Sequence, residues 1–221
     1  MAKKKAYSGF NTKTMEHLLL DAGAFFKNFN YEGEEKDTFD SAVAAGKLIG
    51  ATKGGGEFSA VAVIRQIEVD GVKGRAKGLE TIDAWDVYLK ATVLETSADT
   101  IKMALGSATV DTESDEKYDI ITGNADISLG DYVENVTWVG KLSGSDEPVI
   151  IQVYNALNTD GLKLTVQDKA EATIPMTFYG HYTPDDLDTP PFKVLYPKTA
   201  TAAAVSETTT QQDTTGSEGN A

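Results

Sequence analysis

The side chains able to do covalent or metal chemistry are few, and their spacing does not gather them. His17 and His181 are the only imidazoles, and neither sits in a His-Glu-x-x-His zinc pattern, so each is expected on the surface or in packing. Lys53-Gly54-Gly55-Gly56 has the glycine content of a phosphate loop, but the lysine precedes the glycines and no Lys-Ser or Lys-Thr pair follows to open a helix. The run Asp111-Thr112-Glu113-Ser114-Asp115-Glu116 has a calcium loop's acidity, yet Glu116 stands where the tight turn needs glycine and no carboxylate closes the loop at its twelfth position. No Gly-x-Ser-x-Gly elbow offers a serine nucleophile. A carboxylate pair of the glycosidase type is a matter of coordinates rather than sequence. The expectation is a protein with no enzymatic activity, no metal and no cofactor.

Composition narrows the class of partner. The 221 residues carry 34 acidic and 20 basic side chains, a formal charge of −14. A field of that sign repels phosphate, which speaks against a sequence-reading nucleic-acid binder. It serves solubility, or it lines something that DNA must pass without sticking. With no cysteine, stability must come from packing or assembly rather than disulfides. The start, Met1-Ala2-Lys3-Lys4-Lys5, is basic without an apolar run behind it, and no stretch of about 18 apolar residues occurs. A soluble protein made in a cytoplasm is expected.

The elements that must position any site are mostly strands. Residues 1–14 form a polar arm. Met15 to Phe26 is amphipathic without a decisive period, and a short helix or a strand would fit it. An acidic, glycine-bearing stretch runs from Asn28 to Gly56, long enough to imply a job, and residues 31–56 are expected to be a contact arm ordered by assembly. Phe58 to Val69 is β-branched and alternates at its end. Asp70-Gly71 then supplies a turn, and Leu79 to Leu94 resumes, so a long antiparallel hairpin is expected. Ser97 and Asp99 open a short helix before Ile101, Met103 and Leu105, closed by Gly106. Strand-like runs follow at 118–122, 131–142, 149–157, 162–167 and 172–182, with Ser143-Gly144-Ser145 and Thr159-Asp160-Gly161 as hairpin turns. After Pro184 the pattern stops, with extended chain and then a disordered Thr-rich tail over 198–221. The fold class is therefore mainly β: an antiparallel sandwich or barrel-like domain over 15–183 with one short flanking α-helix and a long β-hairpin, followed by a tail over 184–221.

Several of these segments carry a family resemblance. Ile49 to Gly56 running into Phe58–Val69 and Asp70-Gly71-Val72-Lys73-Gly74 resembles the front half of tail tube proteins from phages of Gram-positive hosts. Leu79-Glu80-Thr81-Ile82-Asp83, Val93-Leu94-Glu95-Thr96, the helix to Leu105 and Ile174 to Tyr182 follow in that family's order, so the likeness covers roughly residues 10–183. It implies subunits that close into six-membered rings and stack into a tube around a channel for DNA ejection. The implied partners are further copies of the chain, tape-measure, tail-tip and tail-terminator proteins, and DNA in transit without sequence-specific binding. The implied location is a virion tail, assembled in a bacterial host, with no membrane. Glu68, Glu80, Asp83 and Asp86 are candidate lumen residues. Glu34, Glu35, Lys53, Gly54, Gly55 and Gly56 are candidate ring-stacking residues. Two rival readings remain: a capsid decoration protein, or a monomeric β-sandwich binding module using Trp85, Trp138 and Tyr154 to stack a ligand.

Overall fold

The computed structural model describes residues 8–32 and 34–198. In chain order the strands and α-helices are β1 (Leu19–Lys27), α1 (Phe39–Ala44), β2 (Thr52–Gln66), β3 (Glu80–Val93), α2 (Ala98–Leu105), β4 (Ala108–Asp111), β5 (Ile120–Gly123), β6 (Val133–Leu142), β7 (Val149–Asn158), β8 (Ile174–Tyr179) and β9 (Phe192–Leu195). One antiparallel sheet has the order β1-β6-β7-β8-β3-β2, with β9 beside β7, while β4 and β5 form a separate two-stranded ribbon. The protein is mainly β, as expected, and the sheet curls as a half-barrel. The stretch open between helix and strand resolves as a 3₁₀ turn, Thr12–Glu16, leading into β1.

Alternation decides which face is inside. On β3, Val87, Leu89, Ala91 and Val93 are buried while Tyr88, Lys90 and Thr92 face outward. The inner face joins these to Phe25, Val136, Val153, Met176 and Phe178 in one core. Strand β7 is buried at most positions and β6 at half of them, on both faces, which a one-sided sheet would not allow. A second layer supplies the reason: Phe26, Phe29, Val139 and Ile150 pack on the other side beneath Ala42 of α1. Thr38 starts that helix, its hydroxyl accepting from the Ser41 amide at 3.2 Å while Ser41 Oγ accepts from the Thr38 amide at 2.8 Å. So much of the long loop folds back onto its own sheet, and the described residues hold two α-helices where one was expected. Helix α2 stands as expected. Ser97 and Thr100 exchange capping bonds, and Asn158 Nδ2 donates to the Ala104 carbonyl at 2.6 Å, satisfying the helix end.

Other expectations change. Residues 162–167 are no strand; a single bridge joins Thr165 to Thr173, because β8 already has β3 and β7 on its two sides and Leu164 and Val166 find no core. The run 172–182 shortens to β8, which meets β7 at only two positions and β3 over six residues. Strand β4 was not foreseen. Nor was β9: beyond Pro190-Pro191 the chain pairs with β7 rather than trailing away, and Phe192 packs between Phe58 and Trp85. The tail over 199–221 lies outside the described residues. Among the described residues no helix is long and apolar enough to cross a membrane.

One carboxylate ties the linker before β6 to the end of α2. Asp131 Oδ2 accepts from the Ser128 amide at 2.7 Å, the Ser107 hydroxyl at 2.9 Å and the Ser128 hydroxyl at 3.0 Å. The Ser128 amide above all, and then the two hydroxyls, hold its carboxyl below the ordinary 3.8. A depressed folded value means stability present above the unfolded value and lost as pH falls through the folded one. We expect Asp131→Asn to be less stable near neutrality and to lose less on acidification, over about pH 5 to 2, in urea midpoints measured across that range. Parallel curves for the two proteins would count against this account.

Candidate assembly interface

The long hairpin extends well beyond the sheet that supports it. Strand β3 pairs with β8 only from Tyr88 to Val93, whereas it pairs with β2 down to Glu80. From Val61 to Gln66 and from Glu80 to Asp86 the hairpin is thus a two-stranded ribbon with no third strand among the described residues. Its base is anchored. Trp85 lies 5.3 Å from the Phe192 ring, and its amide donates to the Tyr182 hydroxyl at 2.8 Å. Phe192 was not singled out in the sequence, and Tyr182 only as the last residue of a family-like run; Phe192-Lys193-Val194-Leu195 after the prolines was the available signal.

Register assigns the ribbon's faces. Val61 opposite Asp86, Val63 opposite Ala84 and Arg65 opposite Thr81 share one face; Ala62 opposite Trp85, Ile64 opposite Ile82 and Gln66 opposite Glu80 share the other. A bulge between Val63 and Ile64 adds Asp83 to β3, and Arg65 clamps it through Nε–Oδ2 at 2.9 Å and Nη2–Oδ1 at 3.2 Å. Apolar side chains stand exposed on both faces: Val61 at 57%, Ile64 at 62% and Ile82 at 52%. The sequence carried that signal, because Val61-Ala62-Val63-Ile64 is apolar at every position, and a strand solvated on one side alternates.

Both margins of the sheet are open over part of their length. Among the described residues no strand pairs with β2 on the side away from β3. On β1, the backbone of Phe25 and Lys27 is met by Ile49 and Lys47 at 2.9 and 2.8 Å, while among the described residues no backbone pairs with Leu19–Ala24 on the side away from β6. The outward face between the margins has mixed charge. The Tyr88 hydroxyl donates to Glu57 Oε1 at 2.7 Å and Lys90 sits 3.5 Å from Glu57 Oε2 and over the Tyr88 ring. The hydroxyl, and then the ammonium, hold the Glu57 carboxyl below its ordinary range.

The four lumen candidates do not share a face. By register Asp86 lies on the Val61 face, beside the Arg65-bound Asp83; Glu80 lies on the opposite one, and Glu68 follows the end of β2 in the connection. The stacking candidates also divide. Glu34 and Glu35 are exposed in the loop before α1, whereas Lys53, Gly54, Gly55 and Gly56 belong to β2, where Lys53 meets Glu171 at 3.1 Å. Trp85 and Trp138 of the rival module's trio both pack against the main core, and each of the three has a partner within the fold. Trp138 donates to the Ala22 carbonyl, Tyr154 donates to Gln152, and Trp85 is at the ribbon's base. His17 meets the Tyr196 hydroxyl and His181 the Asn155 carbonyl. Among the described residues no group of three His, Asp or Glu is placed to hold a metal. No protein-family model matches the chain, and no curated protein matches it.

Proposed function

We propose that the chain is a structural subunit that closes with identical copies into rings and stacks into a tube, in the manner of the tail tube proteins its motifs resemble. The supporting observation is the unsupported β2–β3 ribbon, apolar on both faces and free along one edge. An isolated two-stranded ribbon is marginal in water, and a bare edge of such length invites pairing. A closed ring of copies resolves both at once, because each ribbon gains a neighbour and no edge is left over. The tube would conduct DNA into a host as part of a virion tail, its net charge of −14 per chain disfavouring phosphate binding to the wall. Tape-measure, tail-tip and terminator proteins would then be its partners along and at the ends of the tube. Negative-stain microscopy of the purified chain is the test: striated tubes of uniform width are expected, and dispersed monomers up to high concentration would refute the reading.

A further inference from the structure

The β2–β3 ribbon and the β4–β5 ribbon end in turns of opposite charge. In the first, residues 71–79 hold Lys73, Arg75 and Lys77 and no acid, all three bases are exposed, and Val69 and Val72 stand exposed beside them. The second is the reverse: Glu113, Asp115, Glu116 and Asp119 are exposed with the one base Lys117, next to Tyr118 and Ile120, themselves exposed. None of these charged groups makes an ion pair among the described residues. Topology sets the two turns apart. Strand β3 leaves the basic turn at Glu80 and ends at Val93, about 43 Å further on. Helix α2 caps that far end, where Lys27, the last residue of β1, pairs with Asp99, and Asn158, the last of β7, donates to the Ala104 carbonyl. Strand β4 starts at Ala108, directly after the helix, so the acidic turn belongs to the end of the sheet remote from the basic one.

We infer that the basic turn of one copy docks on the β4–β5 ribbon of the next, Lys73, Arg75 and Lys77 against Glu113, Glu116 and Asp119. A chain cannot join its own two turns across the length of β3, so the occupant is a second copy. Charge fixes the orientation. Copies of net charge −14 repel one another in general, and head-to-tail placement is the one that sets these opposite signs together. Carboxylates alone would make only a solvated loop, and exposed ion pairs contribute little. Val69 and Val72 on one side with Tyr118 and Ile120 on the other give the contact an apolar centre inside a charged rim. Because the two surfaces differ, the contact repeats along an axis without closing. The inference rests on the tube reading and specifies what joins one ring to the next.

Charge reversal in the full-length chain tests it. Lys73→Glu with Arg75→Glu and Lys77→Glu, or Glu113→Lys with Glu116→Lys and Asp119→Lys, should each raise the concentration needed for assembly by about tenfold or more, as attractions become repulsions. The second triple should do so although it takes the formal charge from −14 to −8, two per substitution, which by itself eases association. Combining all six restores −14 and should return the threshold to within about threefold of the unaltered chain, as should mixing the two triple variants. Reversals without effect, or a sextuple variant as defective as either triple, overturn the inference; if the unaltered chain still forms tubes, the tube reading outlives it. If the unaltered chain stays dispersed, oxidising an Ala76→Cys chain mixed with a Thr112→Cys chain decides. A disulfide between the two at about ten times the yield of Ala76→Cys with Asp185→Cys keeps the docking and loses the tube. Equal yields end both.

Discussion

Replacing Gly56 by alanine should destabilise the protein by about 3 kcal/mol, the upper range for forcing extra volume into a packed site. A Cβ there would stand 2.5 Å from the Lys90 carbonyl oxygen and closer still to Phe25 Cζ. Neither neighbour can yield. Lys90 is in the middle of β3, and Phe25 is fully buried in the main core. Gly54 and Gly55 are different, although all three adjoin in sequence. They have φ of 82° and 73°, and a Cβ added at either would have nothing within 4 Å, so alanine there meets only the backbone penalty, about 1 to 2 kcal/mol. Urea denaturation of the three single variants separates the cases: the midpoint of Gly56→Ala should fall furthest, and a Gly56→Ala no worse than Gly54→Ala would contradict the packing argument. The glycine run is thus a bulge that lets β2 cross Phe25. A triple alanine variant that failed to form tubes would report on folding before stacking.

How much of this was legible in the sequence varies with what holds each element. The β2–β3 hairpin and α2 were, because local chemistry defines them: β-branched runs about Asp70-Gly71, and Ser97 and Gly106 at the helix ends. Helix α1 was hidden in an acidic, glycine-bearing stretch; six residues do not sustain a helix, and it depends on Ala42 being buried over Phe26. Strand β9 exists because β7 has edge to spare next to β8, whereas 162–167 alternates well and finds only the single bridge from Thr165 to Thr173. In both cases the deciding fact lies in a distant segment. The lumen candidates were chosen by residue type, and the bulge that brings Asp83 to Arg65 leaves no mark on composition. The exposed apolar run beside them was visible, and it is the feature on which assembly should turn.

Val63→Glu should leave the isolated subunit nearly as stable as before, within about 0.5 kcal/mol, while raising the concentration needed for assembly by about a hundredfold or more. Val63 is exposed in the lone chain and faces only the small Ala84 across the ribbon, so the substitution removes little contact within the fold. In a ring the same position would be covered by a neighbour. Losing the burial of one valine costs about 1.5 to 3 kcal/mol, and a carboxylate forced under the neighbour adds a desolvation penalty of its own. Together the two terms reach a hundredfold, since about 1.4 kcal/mol corresponds to a factor of ten. Ile64→Glu, on the opposite face, separates two geometries. If copies pair only edge to edge with one face wet, one of the two substitutions is tolerated; if the ribbon is sandwiched, both abolish tubes. Leu187→Glu, at an exposed leucine outside the sheet, serves as the control and should assemble normally. Salt should not rescue Val63→Glu, because screening weakens repulsion between charges and does nothing for lost apolar contact. Sedimentation velocity over a concentration series reads all of this, and an unchanged assembly threshold for both ribbon variants would mean that the ribbon is not the interface.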